Sequence, residues 1–82
     1  LPTPTELERD VGKIERFNAA KAEGTGAVTL DGQMVDEATF KTFRNTVETV
    51  QRVHDRRPAQ TETMYDDALL ERALDLEVSY GT

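Results

Sequence analysis

Ala27-Val28-Thr29-Leu30-Asp31-Gly32-Gln33-Met34-Val35 is the stretch that decides the fold class. Two short runs of strand formers flank Asp31-Gly32, a dipeptide that supplies the positive backbone angles of a two-residue hairpin turn. With that turn, Leu30 pairs with Gln33, Thr29 with Met34 and Val28 with Val35. Side chains alternate along a strand, so Val28, Leu30 and Val35 share one face. A hairpin this short is marginal alone and needs helices or another chain against that face.

Helices are expected on both sides. Upstream, Thr5 and Glu8 have the spacing of a capping box, in which hydroxyl and carboxylate each satisfy a free backbone N–H. Leu7, Val11 and Ile14 follow at helical spacing with Phe17 beside them, and Gly24 stands where a left-handed C-terminal cap belongs. Downstream, Asp36 is the expected N-cap and Glu37 adds a second acid at the positive end of the helix dipole. Phe40, Phe43, Val47, Val50 and His54 make a narrow apolar stripe. Glu48 and Arg52 are spaced for an outward ion pair, Arg56 and Arg57 suit the negative helix end, and Pro58 reads as the stop.

The remaining third differs in character. Residues 58–63 read as a polar linker, and Thr63 with Asp66 as the cap of a last helix. Tyr65, Leu69, Ala73 and Leu76 recur at helical spacing, with Leu70 and Leu74 widening the face. Residues 77–82 alternate and fit either a strand or an ordered tail. Six acids against Arg72 alone give residues 58–82 a net charge of −5, whereas the chain as a whole carries −6. The expected architecture is mainly helical α+β: helix, short hairpin and long helix over residues 1–57, a linker at 58–63, and an acidic amphipathic helix or docking arm at 64–82.

Composition excludes more than it identifies. At 82 residues the chain allows one small domain, and Leu, Val, Ile and Phe supply only 18 of them. There is no Cys, one His (His54) and one Ser (Ser79), which leaves no thiolate metal site and no context for a Ser–His–acid device. Gly24-Thr25-Gly26 follows a helix and precedes a strand, the wrong order for a phosphate loop. No catalytic, cofactor-binding or metal-ligating residue is nominated. A pI near 4.6 without a basic face argues against direct nucleic-acid binding. No apolar run is long enough for a membrane span, and no signal pattern opens the chain, so the default compartment is the cytoplasm, or a virion if the assembly is viral.

What remains is a protein partner. A core this thin without staples points to a homo-oligomer or a larger complex. The hairpin edges, the Phe40–Val50 stripe and the Leu69–Leu76 face are the surfaces expected to be covered by another chain. The interface candidates are apolar Tyr65, Leu69, Leu70, Leu74 and Leu76, together with the acidic ladder Asp67, Glu71 and Asp75. The ladder reads first as a solvated face; the alternative is one offset by a basic partner, or by Arg52, Arg56 and Arg57. The functional expectation is a non-enzymatic structural or interaction subunit. Its alternative is a small acidic regulator that binds a basic partner, antitoxin-like or mimicking nucleic acid.

Over roughly residues 5–57, the order helix, Asp-Gly hairpin, helix resembles the layout of small viral head-completion proteins that join a phage head to its tail. The resemblance is one of element order and carries no residue motif. It implies a ring-forming structural protein at a portal and assigns no site residues.

Overall fold

The computed structural model describes residues 1–24, 28–30 and 32–78. Helix α1 spans Pro4–Ala22, strands β1 (Val28–Leu30) and β2 (Gln33–Val35) form the hairpin, and α2 spans Glu37–Arg56. Two shorter helices follow, α3 (Pro58–Met64) and α4 (Asp67–Asp75). The mainly helical α+β class is the one expected.

The hairpin has the register read from the sequence: Val28 opposite Val35, Thr29 opposite Met34, Leu30 opposite Gln33. Gly32 has φ +82°, a conformation that strains any residue with a Cβ. Its turn partner Asp31 lies outside the described residues, as do Thr25, Gly26 and Ala27 ahead of β1. Val28 and Val35 are buried and Leu30 packs against the same core, while Thr29 and Met34 face outward. Strand β1 leans on α1 and β2 on α2, so the helix pair covers the face that the hairpin cannot bury alone.

Helix α1 starts earlier than expected. Thr3 is the N-cap: its Oγ1 accepts from the Glu6 N–H at 3.1 Å, and the Glu6 carboxylate accepts from the Thr3 N–H at 3.3 Å. The capping box is therefore Thr3/Glu6 and not Thr5/Glu8. Pro4 explains the choice, since its fixed φ and missing N–H suit the first helical position. At the other end Gly24, at φ +82°, donates its N–H to the Lys21 carbonyl at 3.0 Å and closes the helix as expected. In α2 the Asp36 carboxylate accepts from the Thr39 N–H at 2.8 Å, again as expected.

Beyond Pro58 the chain departs from expectation. The polar stretch assigned to a linker at 58–63 is helix α3, with Pro58 in its first turn. The proline that ends α2 also opens α3, because a ring that cannot continue one helix is pre-organised to begin another. The Thr63 hydroxyl donates to the Ala59 carbonyl at 2.8 Å, so Asp66, not Thr63, takes the N-cap position of α4. Glu48 pairs with Arg44 at 3.4 Å, one turn back, and not with Arg52.

One core cluster joins all these parts. Leu7, Val11, Ile14 and Phe17 of α1 meet Phe40, Val47 and Val50 of α2, together with Tyr65, Leu69, Leu70 and Ala73. Phe17 and Phe40 stack with ring centroids 4.7 Å apart and planes tilted by 40°, within the range favoured by aromatic pairs. Lys13 Nζ sits 4.9 Å from the centroid of the Phe43 ring and shields the rim of the core. The surfaces expected to await another chain, the Phe40–Val50 stripe and the Leu69–Leu76 face, largely cover each other and α1. Both sides of the expected 57/58 boundary contribute to the same interior.

Candidate functional site

The eight residues nominated from sequence fall into two sets. Tyr65, Leu69 and Leu70 are buried in the chain's own core, and Leu74 and Leu76 are partly buried against it. Asp67, Glu71 and Asp75 are exposed along the outer side of α4. Among the described residues no ion pair joins this ladder to Arg52, Arg56 or Arg57. The charged link that α4 does make is Arg72 to Glu15 of α1, a two-pronged contact at 2.6 and 3.2 Å. Glu15 holds the guanidinium charged, pushing the Arg72 pKa up.

Polar side chains from the other helices hold α4 in place. Gln51 Nε2 donates to the Ala73 carbonyl at 2.8 Å, and Asn18 Nδ2 donates to the Glu77 carbonyl at 2.9 Å. Carbonyls in the last turn of a helix lack intrahelical partners, so the amide of Gln51 caps α4 from a neighbouring element. The Tyr65 hydroxyl, at the α3–α4 elbow, donates to the Pro2 carbonyl at 2.6 Å and ties the first residues to this end of the molecule. Burial, with a smaller effect from Glu6, raises the Tyr65 pKa and keeps the phenol protonated as a donor. None of these contacts joins residues close in sequence, and no local pattern could have shown them.

A second elbow joins α2 to α3. Fully buried Thr61 donates its hydroxyl to the Pro58 carbonyl at 3.0 Å, and His54 Nδ1 lies 2.7 Å from Thr61 Oγ1. A hydroxyl has one proton to give, so with that proton on Pro58 the Thr61 oxygen accepts from Nδ1–H. His54 is thus a structural clamp at this elbow. Beside it a shallow cavity of about 320 Å³ is lined by Leu1, Val53, Arg56, Arg57 and Gln60. A wider one, about 480 Å³, lies across α1 and α4 and carries Glu15, Glu71 and Asp75 on its walls.

Two acids are notable for their settings. Asp10, almost wholly inaccessible on α1, is met by Arg9 Nε at 2.9 Å. Asp36 is exposed at the junction of hairpin and α2, and the Thr39 N–H that it accepts from lowers its pKa below the ordinary Asp range. The sign follows from linkage: a depressed folded pKa contributes stability above the ordinary value and loses it as pH falls through the folded one. The gap in melting temperature between the wild type and Asp36→Ala is therefore expected to narrow between pH 6 and pH values below about 4. Equal gaps at both pH values, measured by circular dichroism, would show that the ionised cap contributes nothing. Among the described residues no group of three or more His, Asp or Glu side chains is placed to hold a metal ion, and no helix is long and apolar enough to cross a membrane.

The fold thus defines a small mixed helical unit with one core and, apart from buried Asp10, charged side chains toward its outside. The L-malyl-CoA/beta-methylmalyl-CoA lyase of Haloarcula marismortui is 62% identical to it over 81 residues. That match takes in 99% of this chain and 23% of the lyase, so the chain spans less than a quarter of that relative's length. No family model matches the chain, and no solved structure matches it.

A relative that is an enzyme by name overturns the functional expectations drawn from composition. The non-enzymatic assembly subunit, the acidic regulator and the head-joining component are all set aside. Lack of Cys, a lone His and a negative net charge describe this segment alone. A segment under a quarter of a lyase's length need not carry that enzyme's chemistry, so its composition is no argument against enzymatic function.

Proposed function

We propose that this chain is a module of a lyase whose substrates are acyl-CoA thioesters. More specifically, the enzyme is a lyase acting on malyl-CoA or β-methylmalyl-CoA. The observation that carries this reading is the 62% identity extending over 99% of the chain. Identity of that extent includes the core and the surface together, which a shared small fold alone would not require.

The module is too small to enclose such a substrate. Its described depressions are open, and the one across α1 and α4 is rimmed by Glu15, Glu71 and Asp75 with Arg72, whose charge is already met by Glu15, so the rim repels a polyanionic thioester. The chain therefore serves as a wall or cover held against the rest of the lyase polypeptide or against another subunit. The accessible part of the nominated interface, Leu74 and Leu76 with Asp67, Glu71 and Asp75, is the surface offered for that contact. Its partner is a protein surface carrying Lys or Arg opposite the ladder, where opposite charges steer and orient the docking.

The test is an assay of the intact protein that contains this chain. Loss of malyl-CoA, with a smaller acyl-CoA appearing in its place and followed by liquid chromatography, is expected with the intact protein. It is expected to be abolished when the segment is deleted. A folded, intact protein that leaves malyl-CoA and β-methylmalyl-CoA untouched would remove the reading.

A further inference from the structure

We infer that the elbow between α2 and α3 is a binding site for the phosphate groups of a CoA-type thioester, with Arg56 and Arg57 as its cations. The identity of the ligand rests on the lyase reading, whereas the site rests on charge and shape. The chain has sixteen acids and ten Lys and Arg, so an arginine in it has carboxylates to spare. Arg9 meets Asp10, Arg44 meets Glu48 and Arg72 meets Glu15. Arg52, Arg56 and Arg57 join none of the described ion pairs, although Asp55 and Glu62 are near in sequence. Arg52 and Arg56 stand one helical turn apart on α2, and Arg57 is the residue between the two helices.

Complementing the dipole at the end of α2 accounts for cations there, because carbonyls leave that end negative. It does not account for a concavity that combines Arg56 and Arg57 with Gln60 over an apolar floor that includes Val53. Phosphate oxygens suit the planar, multi-donor guanidinium, and a side-chain amide adds a neutral donor. The apolar floor suits the uncharged part of a ligand that carries phosphates at one end. The backbone around the site is fixed: the Arg57 N–H donates to the Val53 carbonyl at 2.7 Å, and the Gln60 N–H donates to the Arg57 carbonyl at 3.0 Å. The His54–Thr61–Pro58 clamp locks the same elbow. The backbone of the site is therefore ordered before a ligand arrives, and the ordering cost falls on the exposed Arg56, Arg57 and Gln60 side chains. The competing occupant is the Asp67–Glu71–Asp75 ladder of a second copy, and solution mass separates it from a phosphate ligand in the test below.

The intact protein, as wild type and as the double variant Arg56→Gln/Arg57→Gln, is titrated with coenzyme A and with inorganic pyrophosphate. Both side chains are exposed and make no described ion pair, so the variant is expected to melt with the wild type. Removing two charge-assisted contacts is expected to weaken binding of coenzyme A by about tenfold or more, and wild-type affinity is expected to fall with added salt. In malyl-CoA cleavage the variant is expected to raise KM by a similar factor and to leave kcat unchanged. Equal affinities for wild type and variant, or no binding of either probe by the wild type, would overturn the site. So would a variant whose only change is a smaller solution mass, since that result assigns the arginines to contact between copies. Arginine-dependent binding of coenzyme A by a protein that does not cleave malyl-CoA would keep the site and remove the lyase reading. Cleavage with an unmoved KM would keep the lyase reading and remove the site.

Discussion

Phe40→Ala is expected to remove about 3–5 kcal/mol of stability, the usual cost of emptying a buried aromatic site. Phe40 is wholly inaccessible in the first turn of α2, and its ring stacks on Phe17 of α1 at 4.7 Å. It also stands next to the end of β2, at the corner where hairpin, α1 and α2 meet. A chain of this size has a total stability of roughly 4–12 kcal/mol. The substitution therefore consumes a quarter or more of what the fold has, and most or all of it at the low end. Urea unfolding followed by helical circular dichroism measures the effect directly. A midpoint close to the wild type's would mean that the interior does not close around Phe40. Phe40→Leu keeps most of the volume and is expected to cost much less, separating loss of packing from loss of the aromatic pair.

What the sequence showed clearly was local. The hairpin register followed from strand alternation and one Asp-Gly pair, and Asp36 and Gly24 marked helix ends by well-understood hydrogen-bonding habits. Local readings failed where two patterns overlapped. Thr3-Pro4-Thr5-Glu6 and Thr5-Glu6-Leu7-Glu8 both have capping-box spacing, and only the preference of Pro for the first helical turn separates them. Glu48 has an arginine four residues away on either side, and it pairs with Arg44. Pro58 ends one helix and begins the next, so a stop signal concealed α3. The contacts that place α4, from Gln51, Asn18 and Arg72, bridge 22 to 59 residues and have no periodic signature. The functional misreading had a different source. Charge and residue counts speak only for the residues counted, whereas 62% identity relates the chain to a segment of a longer lyase.

Ending the chain after Arg57 is expected to abolish cooperative folding of residues 1–57. Tyr65, Leu69 and Leu70 leave a core in which they are nearly inaccessible. Each large apolar side chain that loses its burial forfeits about 1.5–3 kcal/mol, so the three together cost roughly 5–9 kcal/mol. The stability available to 57 residues is about 3–9 kcal/mol, which the loss matches or exceeds. Polar anchors go at the same time. Gln51 loses the Ala73 carbonyl, Glu15 loses Arg72, and His54 loses Thr61. Leu7, Val11 and Ile14, fully buried in the intact core cluster, would lie beside the space vacated by α4. The truncated chain is expected to keep some helical signal, because α2 has its own cap and stripe, but to show no sigmoidal urea transition. A cooperative transition in residues 1–57 would instead restore the boundary after Arg57 and make α3 and α4 an appendage. The structural argument against that outcome is the single interior: an arm that merely docked would leave the body's core complete without it, and here the body's core is closed by the arm.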